Sequence, residues 1–453
     1  MIPMRLSEIA DVVGGSLHGE DVLVSGPAYV DSRAPVADGL FVAIVGEHTD
    51  GHAYADGAHA VLGSRPTGAP TVVVIDAVVA LGRLARHVVD RLDATVLAMT
   101  GSQGKTGTKD FLAAVLRTLA GEDAVVATNA NNNNEIGVPL TVLRAGAATR
   151  FLVVEMGARG VGHIAYLCEV APPDVAAVLN VGTAHVGEFG GREQIARAKG
   201  EIVEALGAEG TAVLNADDPL VAAMAPRTPA RVLTFGESGD VRWTGTRLDE
   251  LGRPVFTLGH AGEEHLVRLL EVGAHQRLNA AAAAAMALAA GFGLAEVAAA
   301  LGSARSASRW RMEVTERADG LVVVNDAYNA NPDSMRAALE ALVAIGGPSG
   351  RRTVAVLGEM KELGSEHAAG HRAVGADAAR LGIDVLVVVG AAARGIAEGA
   401  AQGTCEVIVT AGREEATAWV RQNAGPEDVV LVKASRGAAL EEVAEQVLEE
   451  TTP

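Results

Sequence analysis

The sequence is poor in cysteine and in basic residues. It contains two cysteines, Cys168 and Cys405, which are too few for a disulfide framework and form no metal-binding spacing. We expect both to be small, buried apolar side chains. Lys and Arg number 37 against 56 Asp and Glu, and the formal charge is −19, which excludes a broad basic surface for duplex DNA or RNA. A small anionic ligand remains compatible, because a few local amides and cations can outweigh a distant negative surface.

The sequence also lacks a long apolar run. The longest uncharged, mostly apolar stretch, residues 280–295, is shorter than the ~18–20 residues that a membrane-spanning helix needs. Residues 1–15 contain acidic side chains and no apolar core, so no signal peptide is predicted. We therefore expect a soluble, reduced, intracellular protein.

Apolar content, in contrast, is high enough for several cores. Hydrophobic residues make up 49% of the 453 residues, which excludes disorder as the dominant state. At roughly 150 residues per domain, this length suggests about three domains. Changes in the pattern place them at 1–93, 94–312 and 313–453. We predict an α/β protein whose second domain is built on a parallel sheet and whose third is a second doubly wound α/β domain.

Apolar runs and amphipathic stretches alternate from residue 94 onward, as in a parallel sheet with crossover helices. Residues 231–272 differ, because their short alternating pieces predict an antiparallel extension of the central sheet. An alanine-rich helix, Leu278–Ala290, is predicted to follow. The predicted parallel strands are Val96–Met99, Phe151–Glu155, Val175–Asn180, Thr211–Asn215, Leu321–Asn325, Thr353–Leu357, Val385–Val389, Glu406–Thr410 and Val429–Val432.

The strongest chemical signal is Thr100-Gly-Ser-Gln-Gly-Lys-Thr106, which lies between a predicted strand and a predicted helix, as a phosphate-binding loop requires. Its glycines allow the backbone to curl so that amides face an anion, and the helix N-terminus adds partial positive charge. Lys105 can reach β- and γ-phosphates, and the Thr106 hydroxyl can bind Mg²⁺. Met99 replaces the glycine that usually opens such a loop. The alternative is a glycine turn with a chance lysine.

Two further polar features follow neighbouring predicted strands. Asn129–Gly137 is rich in asparagine, whose side chain caps helices and binds polar ligands. Composition alone favours a capping loop, whereas proximity to the phosphate loop favours ligand binding. Glu155 ends a buried strand, where a carboxylate facing the phosphate loop suits a Mg²⁺ ligand. An ordinary strand-end acid is the alternative.

Several candidates have weaker local signals. His185 follows a strand end, which leaves a metal or substrate role and a plain hydrogen-bonding role equally open. Lys199 lies on a predicted helix, where spacing alone favours a solvated lysine. Arg309 and Arg311 precede the third domain and suit an arginine that reaches a phosphate, although charged linker residues are as common.

The stretch Asn325–Met335 follows a predicted strand and is rich in short polar residues. Asp326 could accept hydrogen bonds from ribose hydroxyls, and Tyr328 or Asn329 could contact a base. A purely structural turn is the alternative.

The order of these motifs resembles that of the Mur ligases, ATP-dependent amide-forming enzymes of peptidoglycan precursor synthesis. The resemblance covers nearly the whole chain. Two of the motifs, Asp326–Met335 and Leu357–Gly364, point to the member that adds D-alanyl-D-alanine to a UDP-linked tripeptide. The other motifs are the phosphate loop, Ile136–Pro139, Val154–Gly157, Ala198–Ile202, Asn215–Asp218, Arg311–Glu313, Asp31–Arg33 and Asp50–His52.

The resemblance implies an N-terminal domain for the UDP-sugar, a central ATPase domain and a C-terminal Rossmann-like domain. It implies ATP and Mg²⁺ as cofactors and UDP-N-acetylmuramoyl-tripeptide and D-alanyl-D-alanine as small-molecule substrates. A monomeric, cytoplasmic enzyme with no nucleic-acid partner is expected.

The resemblance also assigns roles to residues of this sequence. The catalytic residues implied are Lys105, Lys199 and Arg311. The nucleotide-binding residues implied are Gly101, Ser102, Gln103, Gly104, Lys105, Thr106, Asn279, Arg311, Asp326 and Asn329. The residues implied at the magnesium sites are Thr106, Glu155, His185 and Lys199, the last as a carbamate that resembles a carboxylate. The substrate contacts implied are Ser32, Arg33, Thr128, Asn131 and Asn134. Lys361 and Arg436 are candidate dipeptide contacts.

Other functions remain open at this point. A related ligase could add a diamino acid to the dipeptide precursor, or glutamate to folate. In a different class, a nucleotide-switch module would use the phosphate loop to control a partner, with slow ATP turnover that no amine changes.

Overall fold

The computed structural model describes residues 1–46, 49–130, 132–182, 191–249, 252–305, 310–361 and 363–449. The chain divides into two compact units. The first comprises Met1–Gly182, Arg192–Val241 and Ala282–Ala300. The second comprises Gly191, Arg242–Ala281 and the described residues from Leu301 onward.

The N-terminal part of the first unit is a small mixed sheet with two helices. Within the described residues, its five-stranded sheet has the order β2-β7-β6-β5-β4, and only the β2–β7 pair is antiparallel. A separate antiparallel pair joins β1 to β3. Asp76 begins α2 by accepting hydrogen bonds from the Val78 and Val79 amides. The elements are β1 (Met4–Arg5), α1 (Leu6–Val13), β2 (Ser16–His18), β3 (Leu23–Val24), β4 (Ala28–Tyr29), β5 (Leu40–Val42), β6 (Ala60–Gly63), β7 (Thr71–Val73) and α2 (Ala77–Asp90).

The rest of the first unit is built on a parallel sheet. Its described strands have the order β13-β12-β11-β8-β10-β9, and all five neighbouring pairs are parallel. The strand β8 therefore lies between β11 and β10, and the loop that follows it starts near the middle of the sheet edge. The elements are β8 (Thr95–Thr100), α3 (Lys105–Ala120), β9 (Val125–Ala127), α4 (Gly137–Val142), β10 (Phe151–Glu155), α5 (His163–Val170), β11 (Val175–Val178), α6 (Arg192–Glu204), β12 (Thr211–Asn215), α7 (Pro219–Ala222) and β13 (Arg231–Phe235).

The prediction for residues 231–272 was partly wrong. β13, at Arg231–Phe235, is a parallel edge strand that pairs with β12. The following strands, β14 (Arg242–Leu248), β15 (Pro254–His260) and β16 (Glu263–Arg268), are antiparallel as predicted but form a three-stranded sheet of their own. Two helices, α8 (Gln276–Ala289) and α9 (Leu294–Ser303), then contain residues of both units.

The C-terminal part of the second unit is a doubly wound sheet. Its described strands have the order β17-β18-β22-β19-β20-β21, in which β17 alone is antiparallel to its neighbour. The elements are β17 (Glu313–Glu316), β18 (Val322–Asn325), α10 (Pro332–Ser349), β19 (Arg352–Leu357), α11 (His367–Arg380), β20 (Val385–Val389), α12 (Arg394–Ala400), β21 (Glu406–Thr410), α13 (Arg413–Asn423), β22 (Asp428–Lys433) and α14 (Glu441–Leu448).

The valine-rich strands of this sheet supply two separate cores, because successive side chains point to opposite faces. Val324 packs in one core with Leu339 of α10 and Ile396 of α12. Its neighbour Val323 packs in the other core with Val420 of α13. Helices therefore cover both faces, and polar side chains collect at the carboxyl ends of the strands.

No helix among the described residues is both long and apolar enough to cross a membrane.

Candidate active site

The phosphate loop connects the middle strand of the parallel sheet to α3. β8 ends at Thr100, and α3 begins at Lys105. Gly104 precedes the helix with φ of 78°, in the left-handed region that favours glycine. The apolar spacing of the sequence predicts a helix over Lys109–Leu119, and the structure begins it four residues earlier, at Lys105.

Neighbouring strand β11 fixes the conformation of this loop. The Asn180 side chain accepts a hydrogen bond from the Gln103 amide (3.0 Å) and donates one to the Gln103 carbonyl (3.1 Å). The Gly182 amide donates to Ser102 Oγ (2.9 Å). A Cβ at Gly101 would lie 3.0 Å from the Leu179 Cβ, so the loop also packs closely there. The Asn180 side chain therefore stabilises the loop, a role that the sequence did not predict.

The first turn of α3, like those of α1 and α5, has no cap from a described side chain. Asp76 and Asp218 cap α2 and α7 through their carboxylates, whereas no described side chain caps α3. The first amides of a helix need partners, and an anion can supply them. The Lys105 ammonium bends back over the loop and donates to the Gly101 carbonyl (2.7 Å). Uncapped amides and a cation at the same point suit a phosphate group.

Glu155 joins the phosphate loop to the asparagine-rich loop. Its Oε2 accepts a hydrogen bond from the Thr106 hydroxyl (3.0 Å), and its Oε1 accepts one from Asn133 Nδ2 (2.7 Å). Glu155 and Thr106 are 1% and 4% exposed.

A carboxylate and a hydroxyl are the oxygen ligands that Mg²⁺ prefers, so the pair Glu155 and Thr106 fits part of a magnesium site. Among the described residues, no group of three or more His, Cys, Asp or Glu side chains could hold a metal. Phosphate oxygens and water would complete the coordination.

The asparagine-rich loop is held by its own side chains. Asn134 accepts hydrogen bonds from the Ile136 and Gly137 amides, so it caps the start of α4. Thr128 is 2% exposed, and its hydroxyl accepts a hydrogen bond from the Glu155 amide (3.0 Å). Of the asparagines, Asn133 makes the contact with Glu155, which composition could not single out.

Lys199 lies on α6 with 6% of its surface exposed. Burial lowers the pKa of its amine well below the ordinary value, and the positive charge of Lys105 lowers that pKa further. Lys199 therefore belongs electrostatically to the phosphate-loop region. A neutral amine is a nucleophile, which is the form that reacts with CO₂ to give a carbamate.

A second group of predicted residues lies in the second unit, at the ends of neighbouring strands β18 and β22. Asp326 Oδ2 accepts a hydrogen bond from Lys433 Nζ (2.5 Å), and Asp326 Oδ1 accepts one from the Met312 amide (3.1 Å). Lys433 also donates to the Asn329 carbonyl (2.8 Å). Lys433 is a partner that the sequence reasoning missed, since 107 residues separate it from Asp326.

Arg311 lies near this group. Its Cζ is 4.1 Å from the centroid of the Tyr328 ring, a close cation–π contact. Its Nε is buried and has no hydrogen-bond partner among the described residues. Asn279, on α8, is 5% exposed and donates to Gln276 Oε1 (2.8 Å).

Of the remaining predicted residues, Arg33 is exposed, Ser32 is partly buried, and three lie outside the described part of the chain. Arg33 has an 88% exposed side chain and pairs with Asp31, whose pKa this contact lowers to about 2. Ser32 lies between them. His185, Asn131 and Arg309 are outside the described residues.

Comparison with known families gives two matches in chain order. Residues 99–287 match the family described as "Mur ligase middle domain", and residues 310–436 match "Mur ligase, glutamate ligase domain". These two matches cover more than half of the chain.

The chain belongs to the Mur ligase family.

Relatives of this Mur ligase extend over its full length. It is 44% identical to the UDP-N-acetylmuramoyl-tripeptide–D-alanyl-D-alanine ligase of Mycobacterium tuberculosis, covering 100% of this chain and 99% of the relative. A crystal structure of MurF from Acinetobacter baumannii matches with a TM-score of 0.89 and 32% identity over 99% of both chains. MurF of Thermotoga maritima in complex with ADP matches with a TM-score of 0.80 and 31% identity, covering 94% of this chain and 97% of that one. The Mur ligase fold, with an N-terminal, a central ATPase and a C-terminal domain, is the fold of this chain, as the sequence predicted.

Proposed function

We propose that this Mur ligase joins D-alanyl-D-alanine to UDP-N-acetylmuramoyl-tripeptide at the expense of ATP, in the synthesis of peptidoglycan precursors. The observation that carries the proposal is 44% identity, over the whole chain, to a ligase named for that reaction. The phosphate loop and its uncapped helix support the use of a nucleotide. We place the enzyme in the cytoplasm, where the UDP-linked precursor would be found. We expect it to be a monomer.

The proposed domains follow the predicted boundaries. Residues 1–93 would hold the UDP-sugar, with Ser32 and Arg33 among the contacts. Residues 94–312 would hold ATP, and residues 313–453 form the Rossmann-like domain. Thr128, Asn131 and Asn134 would serve the tripeptide substrate.

The nucleotide would use residues of both matched regions. The amides of residues 101–104 and the Lys105 ammonium would bind the phosphates. Arg311 would contact the γ-phosphate, while Asn279 and the pair Asp326 and Asn329 would contact the nucleoside. The relative from Thermotoga maritima, in complex with ADP, supports this use of the fold.

Mg²⁺ fits the donor set at Thr106 and Glu155, and His185 and carbamylated Lys199 are proposed as further residues of the metal sites. When bound, Mg²⁺ neutralises charge on phosphate oxygens. The low pKa of the Lys199 amine favours carbamate formation, because the neutral amine supplies the lone pair that attacks CO₂. The carbamate is an anion with two oxygen acceptors, which reverses the charge of this position.

The reaction has two steps. A terminal carboxylate oxygen of the tripeptide attacks the γ-phosphorus of ATP, ADP leaves, and an acyl phosphate forms. The amine of D-alanyl-D-alanine then attacks the acyl carbon, phosphate leaves, and an amide forms. Lys105 and Arg311 would stabilise the charge that develops on the transferred phosphoryl group.

The test is ADP release by the purified chain with ATP, Mg²⁺, the tripeptide precursor and a panel of amines. We expect release that depends on D-alanyl-D-alanine and is lost in Lys105→Ala. Release driven instead by a diamino acid would indicate the related ligase, and release driven by glutamate with a folate acceptor would indicate the folate enzyme. Slow turnover that no amine changes would indicate a nucleotide switch.

A further inference from the structure

The segment Trp310–Met312 has an uncommon backbone on both sides of Arg311. Trp310 has φ of 59° and Met312 has φ of 51°. Both values lie in the left-handed region, where a side chain crowds the backbone, and a bulky residue such as tryptophan rarely adopts it. Two such residues around one arginine indicate a turn that the surrounding structure must hold in place.

Hydrogen bonds donated by backbone amides hold this turn. The Tyr328 amide donates to the Trp310 carbonyl (3.1 Å), and the Trp310 amide donates to Glu313 Oε2 (3.1 Å). The Met312 amide donates to Asp326 Oδ1 (3.1 Å). The turn is thereby tied to the end of β18.

The Trp310 ring adds a second anchor, from the C-terminal end of the chain. Arg436 Cζ lies 4.0 Å from the ring centroid, and the indole Nε1 donates to Glu445 Oε1 on α14 (3.2 Å). Arg436 is itself held by Glu441 (3.1 Å). One face and the polar edge of the indole therefore have partners more than 120 residues away in sequence.

Arg311 is presented by this turn. Its guanidinium lies against the Tyr328 ring, and its Nε is a buried donor without a hydrogen-bond partner among the described residues. A buried donor of this kind is ready for an acceptor that arrives with a ligand. The direction in which the guanidinium points depends on the backbone at Trp310 and Met312.

We propose that Trp310 is a positioning residue, whose indole, held by Arg436 and Glu445, locks the left-handed turn that presents Arg311 to a phosphate group of a bound ligand. The inference rests on the proposed function, because it gives Arg311 a phosphate to contact. Arg436 then acts through its contact with the Trp310 indole.

Three substitutions distinguish the effect of the Trp310 indole from the effect of the left-handed backbone at this position. Trp310→Phe keeps an aromatic ring over Arg436 and loses the bond to Glu445. Trp310→Ala loses the ring and keeps the cost of the left-handed backbone. Trp310→Gly loses the ring but adopts positive φ freely. Trp419→Ala, on α13 of the same unit, is the matched control for loss of a partly buried indole.

We expect Trp310→Ala and Trp310→Gly to lower kcat about 10- to 100-fold, the size expected when a catalytic group is misplaced, with little change in the KM for ATP. Trp310→Phe should keep most of the activity, and Trp419→Ala should lower thermal stability without lowering kcat. Wild-type kcat in Trp310→Gly would overturn the role of the ring. Loss of kcat in Trp419→Ala to the same degree would overturn it as well, since any lost indole would then have the same effect.

A double-mutant cycle with Arg311→Lys tests whether Trp310 acts through Arg311. We expect Trp310→Ala to cost much less in the Arg311→Lys background than in the wild type, because the misplaced group is already altered. Full additivity of the two losses would overturn the inference. If the wild type fails to release ADP in response to D-alanyl-D-alanine, the proposed function fails instead. The two failures are therefore distinguishable.

Discussion

The Lys199 amine is buried in the first unit, and its pKa is lowered by burial and by Lys105. An unfolded chain would protonate this amine at every pH below its ordinary value of 10.5, whereas the folded chain leaves it neutral down to the lowered pKa. The unfolded state then binds more protons, so the free energy of unfolding rises with pH between the lowered pKa and 10.5.

Lys199→Met should therefore be more stable than the wild type at pH 7 in buffer freed of CO₂, and the difference should shrink as pH approaches 10. The slope is at most about 1.4 kcal/mol per pH unit for one proton. Urea unfolding of both proteins at several pH values measures it. A difference that does not change with pH would mean that the folded amine keeps its charge.

Carbamylation of Lys199 predicts that small carboxylates restore part of the catalytic activity lost on substitution of this residue. Lys199→Ala should lose activity by roughly 100-fold or more, the range seen when one charge-stabilising group is removed. Acetate or formate should restore part of it, because either can supply the carboxylate-like oxygens. Lys105→Ala is the control, since a carboxylate cannot replace its cation. Equal rescue of both variants, or rescue of neither, would contradict the carbamate.

The phosphate loop and Glu155 were predicted from residue type and position at strand ends. The magnesium roles of Thr106 and Glu155 stay a prediction, which the hydrogen bond between their side chains supports. Contacts between site residues that are distant in the sequence were not predicted. Lys433 reaches Asp326 across 107 residues, and the order β18–β22–β19 that brings them together cannot be read from local patterns.

At the scale of one element, α3 carries a buried ion pair beneath the phosphate loop. Lys109 Nζ lies 2.6 Å from Asp110 Oδ1, with both side chains 4% exposed, and it donates to the Thr128 carbonyl (3.1 Å). The pair thereby connects α3 to the end of β9. Its charges compensate each other only when both are present.

Lys109→Met should lower the free energy of unfolding by about 3–5 kcal/mol, because it removes the Lys109 cation from its contact with the buried Asp110 carboxylate. Lys109→Met/Asp110→Asn should recover much of the loss, since no charge remains. Urea unfolding of the single and double variants gives the comparison. A double variant as unstable as the single one would show that the Thr128 contact, and not the charge, decides the cost.

Elements with a clear apolar period were predicted well. Val96–Met99 and Phe151–Glu155 are strands β8 and β10. Apolar residues at helical spacing predict a helix over Val78–Arg91, which agrees with α2 to within one residue at each end. Arg231–Phe235 was predicted as antiparallel because its pattern carries no sign of which strand it pairs with. The left-handed turn at Trp310 had no sequence signal at all, because glycine is the residue that normally marks one.

At the scale of the whole molecule, ligand binding should stabilise the fold. ATP with Mg²⁺ at 100 times its dissociation constant adds about 2.7 kcal/mol to the free energy of unfolding of the folded, binding-competent protein. We expect a rise of several degrees in the unfolding temperature by calorimetry, with no rise in Lys105→Ala. An equal rise in that variant would place the nucleotide elsewhere.

The formal charge of −19 makes the whole chain repel the anionic substrates that we propose for it. Local cations and amides must therefore overcome that field at close range. Repulsion at long range weakens as salt is added, so association should become faster with moderate ionic strength, opposite to a protein that attracts its substrate.

The Lys105 ammonium that bends back onto the Gly101 carbonyl has a consequence for selectivity. An ammonium has three N–H donors, and the Gly101 carbonyl accepts from one of them. An entering anion therefore meets a cation whose charge is partly compensated and which already lies over the loop. Chloride or a lone carboxylate gains only the remaining attraction, while a polyphosphate that also engages the helix amides gains much more. The loop thus favours polyphosphates over weakly binding anions.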